Sequence, residues 1–170
     1  MATTLAIIMT LCTLAGNAGK VDNSTVESLN LGKYLGLWYE IARFDHSFER
    51  GLQNVTAVYS IRTDGKIKVV NSGWKDGEYK VSTGKAKVTG TPALLKVSFF
   101  GPFYSDYRVL MITPDYQQAL VGSSSSKYLW ILSRNPMLTD EVKRSILDEA
   151  QRRGYDTEKL IWVGQSASKR

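Results

Sequence analysis

One histidine, His46, and one cysteine, Cys12, are all that the 170 residues offer toward imidazole or thiol chemistry. A single residue of each kind cannot supply the three or four nitrogen and sulfur ligands of a zinc site, and a lone thiol closes no disulfide within the chain. No Gly-rich loop opens a helix, and Gly-x-Ser-x-Gly, His-Glu-x-x-His and Cys-x-x-Cys are all missing. Phosphoryl, acyl and metal-assisted chemistry therefore lack the residues that usually carry them. The expectation is a chain with no catalytic residue, no metal and no cofactor, in which His46 is one more side chain of a charged loop. Two other groups carry more information. Glu40 lies in the alternating run Gly36 to Arg43, where Trp38, Glu40 and Ala42 share one face of a strand. If that face is internal, Glu40 is a buried carboxylate that needs Tyr, Arg or backbone partners. Trp38, at the start of the same strand, can plug one end of a barrel. The best cover for its ring is Arg134, whose guanidinium would gain ~0.5–2 kcal/mol from the cation–π contact.

These residues need a scaffold, and alternating hydrophobicity supplies it. Strands are expected at 36–45, 53–61, 66–73, 78–89, 93–100, 106–113, 117–122 and 127–134, separated by turn residues such as Asp64-Gly65, Asp76-Gly77 and Gly101-Pro102. Short strands at regular spacing favour an all-β fold, an eight-stranded antiparallel up-and-down barrel, with a sandwich as the fallback. One helix is expected, with Thr139 as N-cap, Asp140 and Glu141 in its first turn and a stop at Gly154. Its apolar stripe should pack outside the barrel, and a short strand from Leu160 to Val163 should pair with the edge of the first strand.

The 22 Lys and Arg against 16 Asp and Glu give a net charge of +6, scattered over the chain without a basic run, so the charge reads as a solvated surface. Ahead of the barrel, Leu5 to Ala15 is mostly apolar and leads into Gly16, Asn17, Ala18 and Gly19, the pattern of an export signal too short to span a bilayer. The expected organisation is a signal over 1–18, a polar lead-in over 19–30, one domain over 31–165 and a tail over 166–170. Cys12 is either an ordinary residue of the signal or the lipidated N-terminus of a lipoprotein, although Leu11 is bulky for that processing.

The inward faces of such a barrel carry Ala42, Val55, Ala57, Tyr59, Val69 and Asn71 from the first three strands. The later strands add Val97, Phe99, Tyr107, Val109 and Trp130. An eight-stranded barrel is wide enough either to be filled by side chains or to hold one small ligand. The lining suits an acyl chain, each buried CH₂ contributing about 0.8 kcal/mol. Glu40 then reads as a polar anchor for a headgroup or as an internal structural hydrogen bond. Phe44, Phe48, Phe100 and Phe103 are expected at the open rim, to guide a lipid or touch a membrane.

Gly36-Leu37-Trp38-Tyr39, then Tyr104 and Tyr107, then Arg134 at the end of Tyr128-Leu129-Trp130-Ile131-Leu132-Ser133 stand in the order and spacing of three motifs of one family. The chain resembles the lipocalins from about Leu31 to Gln165, and among them the bacterial outer-membrane, Blc-type branch with its apolipoprotein D and temperature-induced relatives. It departs from the family's second motif in having Pro102 and Phe103 before Tyr104. The resemblance implies a structural signature of Gly36, Trp38, Tyr104 and Arg134. It further implies binding, storage or transport of a fatty acid or lysophospholipid for upkeep of the cell envelope. It implies export to the outer membrane, with a soluble periplasmic or secreted protein as the alternative, contact with a membrane surface and a homodimer as one option; a nucleic-acid-binding barrel is not expected, because the strand count is wrong for one. The alternative it leaves is a lipocalin-fold enzyme, an isomerase or a haem-linked protein, for which a second His or a suitable Cys is missing.

Overall fold

The computed structural model describes residues 20–166. The expected export signal with Cys12 and the end of the tail lie outside them. Nine strands form one sheet: β1 (Gly36–Phe44), β2 (Gln53–Ile61), β3 (Ile67–Lys75), β4 (Glu78–Val88), β5 (Leu94–Phe100), β6 (Phe103–Ile112), β7 (Gln118–Gly122), β8 (Leu129–Ser133) and β9 (Leu160–Trp162). All the pairings are antiparallel and each strand from β2 to β7 pairs with the next. β1 closes the barrel, pairing with β8 on one side and with β2 on the other. The contact with β2 spans only Gly36 to Tyr39. Beyond it β1 and β2 separate, and β9 fills the gap by pairing with Ala42 to Phe44. Gln165 completes the seam, its side-chain amide donating to the carbonyls of Glu40 and Val55.

The expected strands are all present, with three differences that follow from local chemistry. β6 starts at Phe103, three residues earlier than expected, because Gly101 takes φ +53° and Gly101-Pro102 makes a tight hairpin in which Phe100 pairs with Phe103. β8 is shorter than expected, since Lys127 and Tyr128 belong to the preceding turn. β1 carries a bulge: Glu40 opposes Leu132 and Ala42 opposes Ile131, so Ile41 is an extra residue. A one-residue insertion inverts the facing of everything after it.

Two apolar cores result. The inner one runs along the barrel axis through Trp38, Tyr59, Val69, Leu95, Val109 and Val121. The outer one lies between the barrel wall and α2 (Asp140–Arg152), where Ile146 and Ala150 meet Leu120, Leu129 and Ile131. α2 begins at Thr139, whose hydroxyl accepts from the Val142 amide, and ends where Gly154 adopts φ +87°. Arg153 ties three elements together by donating to the Leu110 carbonyl at 2.7 Å, the Glu149 carboxylate at 2.7 Å and the Ser24 carbonyl at 2.8 Å.

The barrel has two unlike ends. α1 (Leu31–Tyr34), capped by the Asn30 side chain, lies at the end where β1 starts and closes it. The opposite end, where β1 finishes, is bordered by the loop over residues 45–52 and by the β3–β4, β5–β6 and β7–β8 turns.

Candidate ligand-binding site

The closed end is a plug of rings and one cation. Trp38 is fully buried, donates its indole N–H to the Tyr34 carbonyl at 2.8 Å and packs on the Tyr34 ring at 5.0 Å. The Arg134 guanidinium lies 3.8 Å from the centre of the Trp38 ring. Its nitrogens also donate to the carbonyls of Lys33 at 2.8 Å, Tyr34 at 3.1 Å, Leu35 at 2.8 Å and Leu37. The orphan carbonyls of a four-residue helix are thus satisfied by a residue about a hundred positions away. Gly36, at φ +96°, makes the turn from α1 into β1 close beside that guanidinium. Tyr104 stands apart from this group: it lies on the outer wall under the ammonium groups of Lys85 and Lys87, 5.8 and 4.6 Å from its ring.

Above the plug lies a floor of hydroxyls. Tyr34 and Tyr59 both reach the Tyr107 hydroxyl, at 2.6 and 2.9 Å. Burial pushes the three phenols above their ordinary value, so they stay neutral and share protons among themselves. Ala57, Tyr59, Val69 and Val109 are buried in the inner core around this level, and Val55, four residues before Tyr59 on β2, is buried nearer the open end. On the same inner face Asn71, Val97, Phe99 and Trp130 keep part of their surface accessible, as does Tyr107 at the floor itself. Val97, Phe99, Tyr107 and Trp130 border the inner core. Asn71 holds its side-chain oxygen there without a hydrogen-bond partner.

Ala42 is not among the lining residues. The bulge at Ile41 turns it to the α2 side, where it is fully buried in the outer core. Arg43 takes the inward place instead, and alternation from Trp38 had no means of showing it. Its guanidinium donates to the Glu40 carboxylate at 2.7 Å and to the Glu49 carbonyl at 2.7 Å. Glu49, from the loop over residues 45–52, accepts from the Trp130 indole at 3.0 Å and lies 2.8 Å from the His46 ring nitrogen. His46 is buried, not in an open charged loop, and stacks on Phe48 at 3.8 Å. Burial, and then the negative charge of Glu49, push the Glu40 carboxyl up to about 8 against the opposing pull of Arg43. Of the four phenylalanines expected at the rim, Phe48, Phe100 and Phe103 are there and exposed. Phe44 is not: the bulge directs it into the outer core, edge-on to Tyr155 at 6.2 Å.

A closed eight-strand barrel with a ninth strand in its seam, one outer helix and a Trp–Arg plug at its base is now in place. Residues 29–165 match the family described as the lipocalin-like domain. The chain belongs to the lipocalins. It is 52% identical over 149 residues to the outer membrane lipoprotein Blc of Escherichia coli K12, 85% of this chain and 84% of that one. It is 45% identical over 168 residues to the outer membrane lipoprotein Blc of Vibrio cholerae, 94% of this chain and 98% of that one. It is also 38% identical over 158 residues to temperature-induced lipocalin-1 of Arabidopsis thaliana, 86% of this chain and 85% of that one. Among solved structures, tobacco hornworm insecticyanin superposes with a TM-score of 0.71 at 22% identity, covering 90% of this lipocalin and 88% of that chain. That likeness is one of fold. The bacterial relatives of this lipocalin are named as lipoproteins, not as enzymes.

Proposed function

We propose that this lipocalin binds one fatty acid or lysophospholipid in its barrel, reversibly and without a covalent step, and that it does so as an exported protein held at the outer membrane for storage or transport of envelope lipid. The observation that carries the reading is the partly accessible inner wall formed by Asn71, Val97, Phe99, Tyr107 and Trp130. Below it the Tyr hydroxyls close the apolar column. Above it Arg43, Glu49 and the Trp130 indole supply polar contacts at the depth where a headgroup would sit. The bacterial relatives, named as outer membrane lipoproteins, support the outer membrane as its place. Binding is favoured over catalysis because the one imidazole of the chain is stacked on Phe48 beside Glu49 and faces no second catalytic group.

Native mass spectrometry of the protein purified from its own envelope, with extraction of what it carries, tests this directly. One acyl lipid per chain is expected, with affinity about tenfold or more weaker in Trp130→Ala, which removes a large part of the wall. An empty barrel that also ignores added fatty acid and lysophospholipid in a fluorescence titration would overturn it.

A further inference from the structure

We propose that the floor of the barrel is a hydrogen-bond donor site, and that the acyl lipid it fits carries a neutral carbonyl oxygen at the far end of its chain. Tyr34, Tyr59 and Tyr107 bring three hydroxyl hydrogens, and burial keeps the phenols neutral, so none is lost to ionisation. Two contacts join them, Tyr34 to Tyr107 at 2.6 Å and Tyr59 to Tyr107 at 2.9 Å, and each uses one hydrogen. Tyr34 and Tyr59 do not bond to each other, and among the described residues no other acceptor lies within hydrogen-bond reach of the three oxygens. However the hydrogens are arranged, one O–H is left over.

Accessibility places that hydrogen on Tyr107. Tyr34 is fully buried and Tyr59 is 5% exposed, whereas Tyr107 keeps part of its surface accessible. With Tyr34 and Tyr59 both donating to the Tyr107 oxygen, the Tyr107 hydrogen is the free one, on the inner face that Val97 and Phe99 share. A donor left unmet in such surroundings is costly, and the same donor is strong once met, because no water competes for it.

The partner is therefore an acceptor, and its charge is set by what lies beneath. The guanidinium below the floor, that of Arg134, is spent on the Trp38 ring and four backbone carbonyls. A carboxylate placed head-first on the floor would lose its water without gaining a counter-charge. A carbonyl oxygen accepts the hydrogen and brings no charge to desolvate. The head then stays at the level of Arg43 and Glu49, as in the proposed function on which this inference rests, and the oxygen belongs to the tail. Tyr59 stands six residues from the start of β2 at the mouth, about 20 Å along the strand. At that fixed depth the floor meets the tip of a chain of one length. The class of ligand is an acyl lipid oxidised beside its last carbon.

The test uses the full chain with dodecanoate, tetradecanoate and hexadecanoate, each supplied plain, with a ketone on the carbon next to last, or with a ketone at mid-chain. The two ketones of one length carry the same polar group, so the ratio of their affinities isolates its position. At one of the three lengths the near-terminal ketone should bind about fivefold to tenfold tighter than the mid-chain ketone. Its isotope-labelled carbonyl stretch should fall in frequency on binding, the mark of an accepted hydrogen bond. Tyr34→Phe, Tyr59→Phe and Tyr107→Phe together remove the three hydroxyls and little volume. In that variant the preference and the frequency shift should both vanish while the plain acid still binds, which also shows that the variant is folded. Tyr59→Phe alone should keep the preference, since two hydroxyls sharing one contact still leave one hydrogen over. Equal affinity of the two ketones at all three lengths, or an unshifted carbonyl, would overturn the proposal, and both are read on the native chain. So would a preference that survives in the triple variant. If the plain acids are refused as well, the barrel-binding reading falls with it; if they bind and the ketones show no preference, only the donor floor falls.

Discussion

The two ends of this barrel each bury an arginine, and they treat it differently. At the closed end Arg134 lies over the Trp38 ring and donates to four backbone carbonyls. In the open half Arg43 is more deeply buried, is paired with Glu40, and leaves its Nε without a partner. His46 Nδ1 and the Asn71 side-chain oxygen in the same half also lack a hydrogen-bond partner. A polar group left unmet in low dielectric costs far more than one that is satisfied. The closed end therefore reads as finished architecture, and the open half as a region whose polar groups gain most from a ligand or from movement of the loop over residues 45–52.

The largest effect should come from breaking the finished end. Trp38→Ala removes a fully buried indole from beneath Arg134 and should cost about 3–5 kcal/mol of stability in urea unfolding. A loss below about 1 kcal/mol would mean that the plug is not the fixed part of the barrel. Next is Arg43→Met, which should cost about 3 kcal/mol by leaving Glu40 buried without its cation and the Glu49 and Leu52 carbonyls without their donor. Combining it with Glu40→Gln should cost less than the two single changes added together, since the contact between Arg43 and Glu40 can be lost only once. Full additivity of the two changes would break the claim that they act as a pair.

How much of this was legible in the residues follows the same division. Trp38 and Arg134 could be matched because a large ring at the start of a strand needs a cover and few cations stand at the right distance along the chain. The β9 seam was legible from Leu160 to Val163, an apolar run after a helix stop. Arg43 was not legible, because alternation places it outward and nothing in Glu40-Ile41-Ala42 announces an extra residue; the same bulge displaced Ala42 and Phe44. His46 and Glu49 were hidden for another reason. Their sequence neighbours Asp45 and Arg50 are charged and make an exposed pair, so the loop reads as solvent-facing although two of its members fold inward onto Trp130.

Glu40 offers a sharper probe of the open half. Its carboxyl is pushed up to about 8 by burial and by Glu49, from an ordinary value of 4.5. Below 4.5 the carboxyl is protonated in both the folded and unfolded chain, and the barrel has the full benefit. Between 4.5 and about 8 the folded chain keeps a proton that the unfolded chain has released, so stability is lost as pH rises through that window. Glu40→Gln cannot titrate. Its stability relative to the native chain should climb with pH across the window by up to about 1.4 kcal/mol per unit, then level off. A flat difference would show that Arg43 neutralises the carboxylate throughout.

The smallest expected effect on stability, and the most informative about the site, belongs to Val97→Trp. Val97 faces the axis and is half-buried, so an indole there should enter open space and change stability by less than about 1.5 kcal/mol, within the range of tolerated core changes. The same substitution at Ala86, which is fully buried and opposes Val97 in the ladder, has no such space and should cost about 1–3 kcal/mol by overpacking. Ligand capacity should follow the reverse order of attention: the Val97 variant should stay folded yet lose about tenfold or more in affinity for an acyl chain, because the ring occupies the volume that several CH₂ groups would fill. Urea unfolding and lipid titration on the same two variants separate the cases. A Val97→Trp barrel that unfolds as readily as the Ala86 variant would mean the inner wall is packed along its whole length, and the contrast between the two ends would no longer mark a binding site.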